Sequence, residues 1–334
     1  MNNKTLIALA VAATVSAGAN AANVYSQDGT ELNVGGRAEF RGDFIGDNGN
    51  GKEVEGTMAN NSRFRLNVGG TTEINESLSG FGFYEAEQTV NSSSDNTANE
   101  DFKQRYMFAG LQGDFGAVSF GRQDTAAVQI SQMSDVTTFT GAQKEFISAG
   151  NEQINNTILY TGEFDALTVK ASFVAGEEKD TDAYGVSGIY TLPMGLGFGL
   201  GYSAGDNGDA VGAGSGNAII AGVNYTLDSL YLAGTYTTGE TNDKTSSDFN
   251  GMEFAATYGF GNGFTLMGAY QKTEEDSLLG KSQDKSDFFE ITGDYAFNNN
   301  MNAYVAYMLN NMDESTNGAK DAEDTLRLGL KYSF

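Results

Sequence analysis

Polar and apolar positions alternate with a period of two along most of the chain, which is the spacing of strands and not of helices. Near the start Leu32, Val34, Ala38, Phe40 and Phe44 fall on one face, while Glu31, Asn33, Arg37, Glu39, Arg41 and Asp43 fall on the other. The next segment sets Phe64, Leu66 and Val68 against Arg63, Arg65 and Asn67. Later copies carry Leu196, Phe198, Leu200 and Tyr202, then Phe254, Ala256, Tyr258 and Phe260, and finally Leu326, Leu328, Leu330, Tyr332 and Phe334. Their opposite faces hold Lys170, Glu253, Glu290, Asp294, Arg327 and Lys331.

Connection lengths alternate as well. Short turns fall at 75–77, 113–116, 162–165, 193–195, 228–229, 261–263 and 298–300, and between them lie long polar stretches such as 46–61, 91–101, 205–216, 239–250, 273–285 and 311–323. A soluble sandwich has no reason to sort its connections this way, whereas a transmembrane barrel has short turns at one rim and long loops at the other. Seven short turns and eight long loops predict an all-β fold, a 16-stranded antiparallel transmembrane β-barrel with both chain ends at the short-turn rim. That leaves roughly 20 residues for each strand and its connection, enough to cross a bilayer. Glycine alternates inside strands at Gly195, Gly197, Gly199 and Gly201, where it relieves crowding on a curved wall. A phosphate loop is not readable there, because position 200 is Leu. Tyrosine and phenylalanine recur at strand ends, as interface girdles require.

The first residues read differently. Lys4, an apolar stretch from Leu6 to Val15 and the small-residue site Ala19, Asn20 and Ala21 form a secretory signal peptide over residues 1–21, leaving 22–334 as a single barrel domain. The stretch is too short for a spanning helix, which needs about 20 residues. Composition then removes whole classes of chemistry. Without Cys or His there is no disulfide framework, thiolate nucleophile, Ser-His-Asp triad or His-ligated zinc, so the chain is read as no enzyme, with no cofactor and no metal. The Asp47-Asn48-Gly49-Asn50-Gly51 run departs from a calcium loop at Gly49 and reads as a surface loop. With 19 basic against 44 acidic side chains, a nucleic-acid partner is excluded and cations are favoured. A mean hydropathy of -0.34 fits a barrel, in which alternation averages the apolar signal away.

The terminal strand, from Leu326 to an aromatic-x-Phe end at Tyr332 and Phe334, resembles the assembly signal of outer-membrane proteins. Gly36-Arg37-Ala38, the run from Ser62 to Leu66, the run from Arg105 to Leu111, Phe120-Gly121-Arg122 and the run from Phe297 to Val305 extend the match. Together they resemble the trimeric general porins of Gram-negative bacteria, with a flavour closest to the OmpU type of marine bacteria. That resemblance implies a homotrimer in the outer membrane, in contact with lipid and lipopolysaccharide and delivered by the outer-membrane insertion machinery. It also implies a third loop, here 123–156, that folds inward and sets acidic groups against a basic wall. Matched residue by residue, Arg37, Arg65 and Arg105 fall on the wall, and Asp135 is the loop's leading carboxylate. Gln153 stands in place of a fourth arginine, and Thr138 or Phe139 stands at the second acidic position. Glu145 and Glu152 are candidates to compensate.

Parity extends the wall to Arg63. Arg37, Arg63, Arg65 and Arg105 all lie opposite apolar neighbours, so a barrel in lipid must turn them inward. Like charges at i and i+2 are poorly explained by pairing alone, which favours a functional cluster over lumen-wall salt bridges. The expected function is a water-filled channel for small hydrophilic solutes, cation-preferring because acidic groups dominate. A sugar-specific channel would need aromatics on the inward parity, where the sequence reads mostly Thr, Ser, Gly, Asn and charges. An adhesive or structural surface protein would need a closed lumen.

Overall fold

The computed structural model describes residues 21–45, 58–90, 96–98, 101–245, 247–276, 282–312 and 323–334. Residues 1–20 of the expected signal peptide and the run 47–51 lie outside the described residues. The strands are β1 (Ala22–Gln27), β2 (Thr30–Ile45), β3 (Ala59–Asn60), β4 (Arg63–Asn75), β5 (Leu78–Thr89) and β6 (Lys103–Gly113). They continue through β7 (Gly116–Gln123), β8 (Ile154–Phe164), β9 (Leu167–Val174), β10 (Ala183–Thr191), β11 (Leu196–Asp206) and β12 (Ser215–Leu227). The last six are β13 (Leu230–Glu240), β14 (Asp248–Gly259), β15 (Phe264–Asp276), β16 (Ser282–Ala296), β17 (Met301–Asn310) and β18 (Thr325–Ser333). Each long strand pairs antiparallel with its sequence neighbour, and β18 returns to β2 with Ser333 opposite Arg37 and Thr325 opposite Ile45. The result is the expected closed barrel of 16 strands, β2 and β4 to β18, with β1 and β3 as short additions to β2.

Closure is shared by the two ends of the chain. One edge of β2 carries β18 along residues 37–45 and β1 along residues 30–34. A tight turn joins β1 to β2 through Asp28 and Gly29, with φ of 52° and 72°, and a Cβ on Gly29 would sit 2.9 Å from Glu73 Cβ. This left-handed pair is the geometry of a two-residue hairpin turn, and Asp-Gly reaches it without strain.

The alternation maps onto two faces. Phe40, Phe64, Phe173, Phe198, Leu200, Phe254, Phe289 and Leu330 are exposed on the outer wall, while Glu39, Asn67, Ser172, Ser203, Thr235, Glu253 and Glu290 are buried inside. An inside-out arrangement of this kind is stable only where the outer solvent is apolar. Rings contact one another at both rims. Tyr258 and Phe260 (4.9 Å between centroids) and Tyr295 and Phe297 (5.3 Å) sit near the short turns, with Tyr184 and Tyr202 (6.3 Å) and Tyr270 and Phe289 (4.6 Å) toward the long loops.

Three expected loops are shorter than the sequence suggested. Strands trim stretches 205–216 and 239–250 at both ends and take up most of 273–285, with Asp206 paired to Ser215, Glu240 to Asp248 and Asp276 to Ser282. In the third, charge pairs along and across the strands support the polar extension. Lys272 Nζ lies 2.8 Å from Glu274 and 3.5 Å from Asp284.

Candidate pore constriction

The connection from β7 to β8 leaves the wall and folds into the barrel, where it makes one turn of helix, α1 (Val128–Ser131), and two 3-10 turns at Ala142–Lys144 and Ser148–Gly150. A small apolar core holds it: Ala127, Ile130 and Met133 pack on inward Ile220 and Ala233, and Phe146 stacks on Phe249 at 4.1 Å. Glycines make that seat. A Cβ on Gly199 would meet Ile130 Cδ1 at 2.7 Å, and one on Gly222 would meet Met133 Sδ at 2.6 Å. The glycine alternation read in the sequence as relief of curvature therefore also accommodates the incoming loop.

Polar anchors then run around the wall from β9 to β18. Ala126 N–H donates to Ser172 Oγ (3.0 Å), Gln129 Nε2 to Ser187 Oγ (2.7 Å), and Ser134 Oγ shares a bond with Thr235 Oγ1 (2.7 Å). Gly141 N–H donates to Glu253 Oε2 (2.7 Å), and Ala142 N–H to Gln271 Oε1 (3.1 Å). At the tip, Glu290 accepts from Thr137 Oγ1 (2.5 Å) and from the amides of Thr138 (3.0 Å) and Phe139 (3.1 Å). Arg327 completes the latch. It donates to Thr138 O (2.7 Å), lies 3.7 Å from the Phe139 ring centroid and makes a two-pronged pair with Asp43 (2.7 and 2.9 Å). Thr138 and Phe139, at the position where an acid was expected, thus carry the docking of the tip.

The arc left uncovered by the loop belongs to β2, β4, β5 and β6, and there the structure brings together Arg37, Arg63, Arg65 and Arg105. Carboxylates interleave with them. Arg63 Nε donates to Glu39 (2.7 Å), Arg65 Nε and Nη2 donate to Glu87 (2.8 and 2.6 Å), and Arg105 Nε donates to Glu85 (2.8 Å). Arg37 has only a looser approach to Glu39, at 3.6 Å, and its buried Nε has no hydrogen-bond partner. The sequence argument that like-charged i and i+2 neighbours are poorly explained by pairing is corrected here, because the partners come from across the ladder. Glu39, Glu85 and Glu87 are the wall residues that sequence reasoning left out.

Asp135 is turned into its own loop, accepting from Lys144 Nζ (3.2 Å) and Thr140 Oγ1 (3.1 Å). Lys144 also lies 3.2 Å from Glu152, so one buried ammonium serves two loop carboxylates. Burial pushes the Asp135 carboxyl above its ordinary range, more than Lys144 pulls it back. Burial would lower Lys144, yet Asp135 and Glu152 together raise it. Gln153 stands at the loop's return, with φ of 56° and its backbone N–H donating to Asp124 (3.1 Å), while Glu145 is exposed. At the seam Phe334 exchanges amide bonds with Gly36 (2.9 and 3.0 Å) and stacks between Phe64 and Tyr332 (6.2 and 5.9 Å).

One further group escaped the parity reading: Phe81, Phe83, Tyr106 and Phe108 cluster on the inner face of β5 and β6. Beside the Thr, Ser, Gly, Asn and charges expected on the inward face, the wall therefore carries one aromatic group. A bulge between Glu85 and Ala86 on the ladder shifts β6 by one residue near Arg105, so simple alternation does not carry through that strand.

Comparison with known proteins agrees with this geometry. A model of the Gram-negative porin family matches residues 8–315. Outer membrane protein U of Vibrio vulnificus is 36% identical, covering 99% of both chains, and the porin OmpD of Citrobacter koseri is 31% identical over 98% of this chain and 99% of its own. Among solved structures, Salmonella typhi OmpF in complex with daunomycin matches with a TM-score of 0.81 at 20% identity, covering 94% of this chain and 100% of that one. A trimer form of Vibrio cholerae OmpT matches with a TM-score of 0.70 at 18% identity, covering 92% and 100%. With an inside-out 16-stranded barrel, a loop folded into its lumen and relatives matched end to end, the chain belongs to the Gram-negative porins of the outer membrane.

Proposed function

We propose that this porin is a passive diffusion channel for small hydrophilic solutes, that it prefers cations, and that it works as a homotrimer after removal of residues 1–21. The observation that carries the reading is the division of the lumen: a docked loop bearing Asp135 and Glu152 on one side and the arginines of β2, β4 and β6 on the other. On the wall Glu39, Glu85 and Glu87 offset much of the arginine charge, so the excess of 44 acidic over 18 basic side chains that remains once Lys4 is removed (19 − 1 = 18) sets the sign of the field. Arg37, Arg63, Arg65 and Arg105 then shape the path of ions without making it anionic. Outward small residues such as Ala38 suit packing against a second barrel, and the trimer form of OmpT supports that assembly.

The test is single-channel conductance and reversal potential of the purified protein in planar bilayers under a potassium chloride gradient. A cation-selective potential at low salt is expected, weakening as the Debye length falls from about 10 Å at 0.1 M to about 3 Å at 1 M. An anion-selective sign overturns the preference. Native mass measurement in mild detergents tests the trimer, and N-terminal sequencing of outer-membrane material should begin at Ala22.

A further inference from the structure

The aromatic cluster on β5 and β6 has no part in holding the third loop's tip or in pairing the arginines, yet it adjoins the arginines and the start of that loop. Along β5, Phe81 and Phe83 share a face with Glu85 and Glu87; across the ladder Phe83 is opposite Phe108 and Glu85 is opposite Tyr106. Partners establish that this face is the inner one. Glu85 binds Arg105 and Arg65, whereas the alternate residues Tyr84, Met107 and Leu111 are exposed on the outer wall. The rings tile one another, Phe83 lying 5.6 Å from Phe108 and 6.2 Å from Tyr106, with Phe81 meeting Phe108 edge-on at 6.4 Å. Phe81 and Phe83 are buried beneath this tiling, and Tyr106 and Phe108 are only partly buried, so the latter two present its surface.

Charge begins where the rings end. The Arg105 guanidinium carbon stands 5.8 Å from the Tyr106 centroid, and its Nε is committed to Glu85 at 2.8 Å. Its two terminal nitrogens make no hydrogen bond among the described residues, with Glu87 the second carboxylate in electrostatic reach. Tyr106 in turn donates to Asp124 (3.0 Å), the first residue of the inward loop, which holds its ring in place beside the passage. Ring surface in an otherwise polar wall favours a solute that can cover it, because aromatic faces attract other rings and release water on contact.

Resting on the channel reading above, we propose that this patch is a stopping place for solutes combining a planar apolar ring with an anionic group. The ring lies on Tyr106 and Phe108, and the anion meets the free nitrogens of Arg105. Ring and charge are both required, so neither a small anion nor an aromatic cation of the same size is retained as long.

Single-channel recording with phenylacetate, acetate and benzylammonium as probes separates these requirements. Phenylacetate should interrupt the current for severalfold longer than either of the others. The double variant Tyr106→Ala with Phe108→Ala should reduce its dwell time to that of acetate. Phe108→Leu, which keeps apolar volume without a ring, should shorten it even if the double variant fails to fold, and Tyr106→Phe should restore it. Equal dwell times for phenylacetate and acetate, or dwell times unchanged in Phe108→Leu, overturn the patch. Benzylammonium lasting as long as phenylacetate overturns the assignment of Arg105. A protein that inserts but passes no current overturns the channel reading itself.

Discussion

Arg65 and Asp135 hold opposite charges in different settings, and their substitution should move selectivity in opposite directions. Removing Arg65 frees Glu87 and weakens the hold on Glu85, so Arg65→Ala should raise cation preference. Asp135→Asn removes a loop carboxylate and leaves Lys144 with Glu152 alone, so it should lower that preference. The Arg65 pair is largely buried in the wall, its side chains 16% and 14% exposed, so the substitution should also cost stability, up to about 3 kcal/mol. Reversal potentials that stay at the parent value in both variants would assign the wall to structural pairing. Acid offers a second reading of Asp135. Because burial raises its pKa, it gains a proton at a higher pH than an ordinary carboxylate, so cation preference should begin to fall above the usual range near pH 4. In Asp135→Asn that part of the titration should be missing. The arginines were legible from parity. Their partners were legible too, since a turn at 75–77 sets Arg65 opposite Glu87, but register has to be followed across the hairpin to find them. Lys144 was not legible, because no periodicity governs a loop.

At the level of the element, the third loop is held by a seat and a latch that fail differently. The seat is steric: Gly199→Leu places side-chain atoms where Ile130 packs and should displace α1, at a cost of about 1–3 kcal/mol for an overpacked contact. Such a variant should show altered conductance in a barrel that still folds. The latch is polar. Glu290→Gln replaces an acceptor of four loop groups by one that also brings donors, weakening bonds that are each worth about 1.5–3 kcal/mol when charged. Its expected signature is noisier current at unchanged mean selectivity, and quiet current would show that the apolar seat suffices. The glycines on β11 were visible in the sequence as an alternating series, and Glu253 and Glu290 as members of the polar face. What they serve was not visible, because the contacts join residues far apart in the chain, Gly199 to Ile130 and Glu290 to Thr137.

Over the whole molecule, strand number and the sorting of turns from loops could be read in advance, since each short turn and each alternating run is a local property. The cut between strand and long loop could not, because ladders such as β15 with β16 run on past the lipid through charged side chains. The aromatic end of the chain belongs to this scale. Phe334 pairs with Gly36 and packs against Phe64, joining the last residue to the first two long strands. Deleting it should reduce the amount of folded protein in the outer membrane while export across the inner membrane continues, as quantified in separated membrane fractions. Equal outer-membrane levels would place the assembly signal elsewhere.

The seam between β2 and β18 also dictates an order of events. Arg327 and Asp43, joined across it, are 284 positions apart, whereas every other long strand pairs with its neighbour in the chain. A polypeptide emerging from its amino end can build hairpins early, but residues 37–45 of its first long strand stay unpaired on one edge until the final nine-residue strand arrives. Loop closure over such a length comes late and slowly. Contacts absent from the transition state govern how fast a structure comes apart and leave its rate of formation alone. Asp43→Asn should therefore hasten unfolding in denaturant while leaving the refolding rate into detergent micelles near that of the parent. Until the seam shuts, the exported chain is an open sheet with two bare edges, exposed to pairing with its own copies.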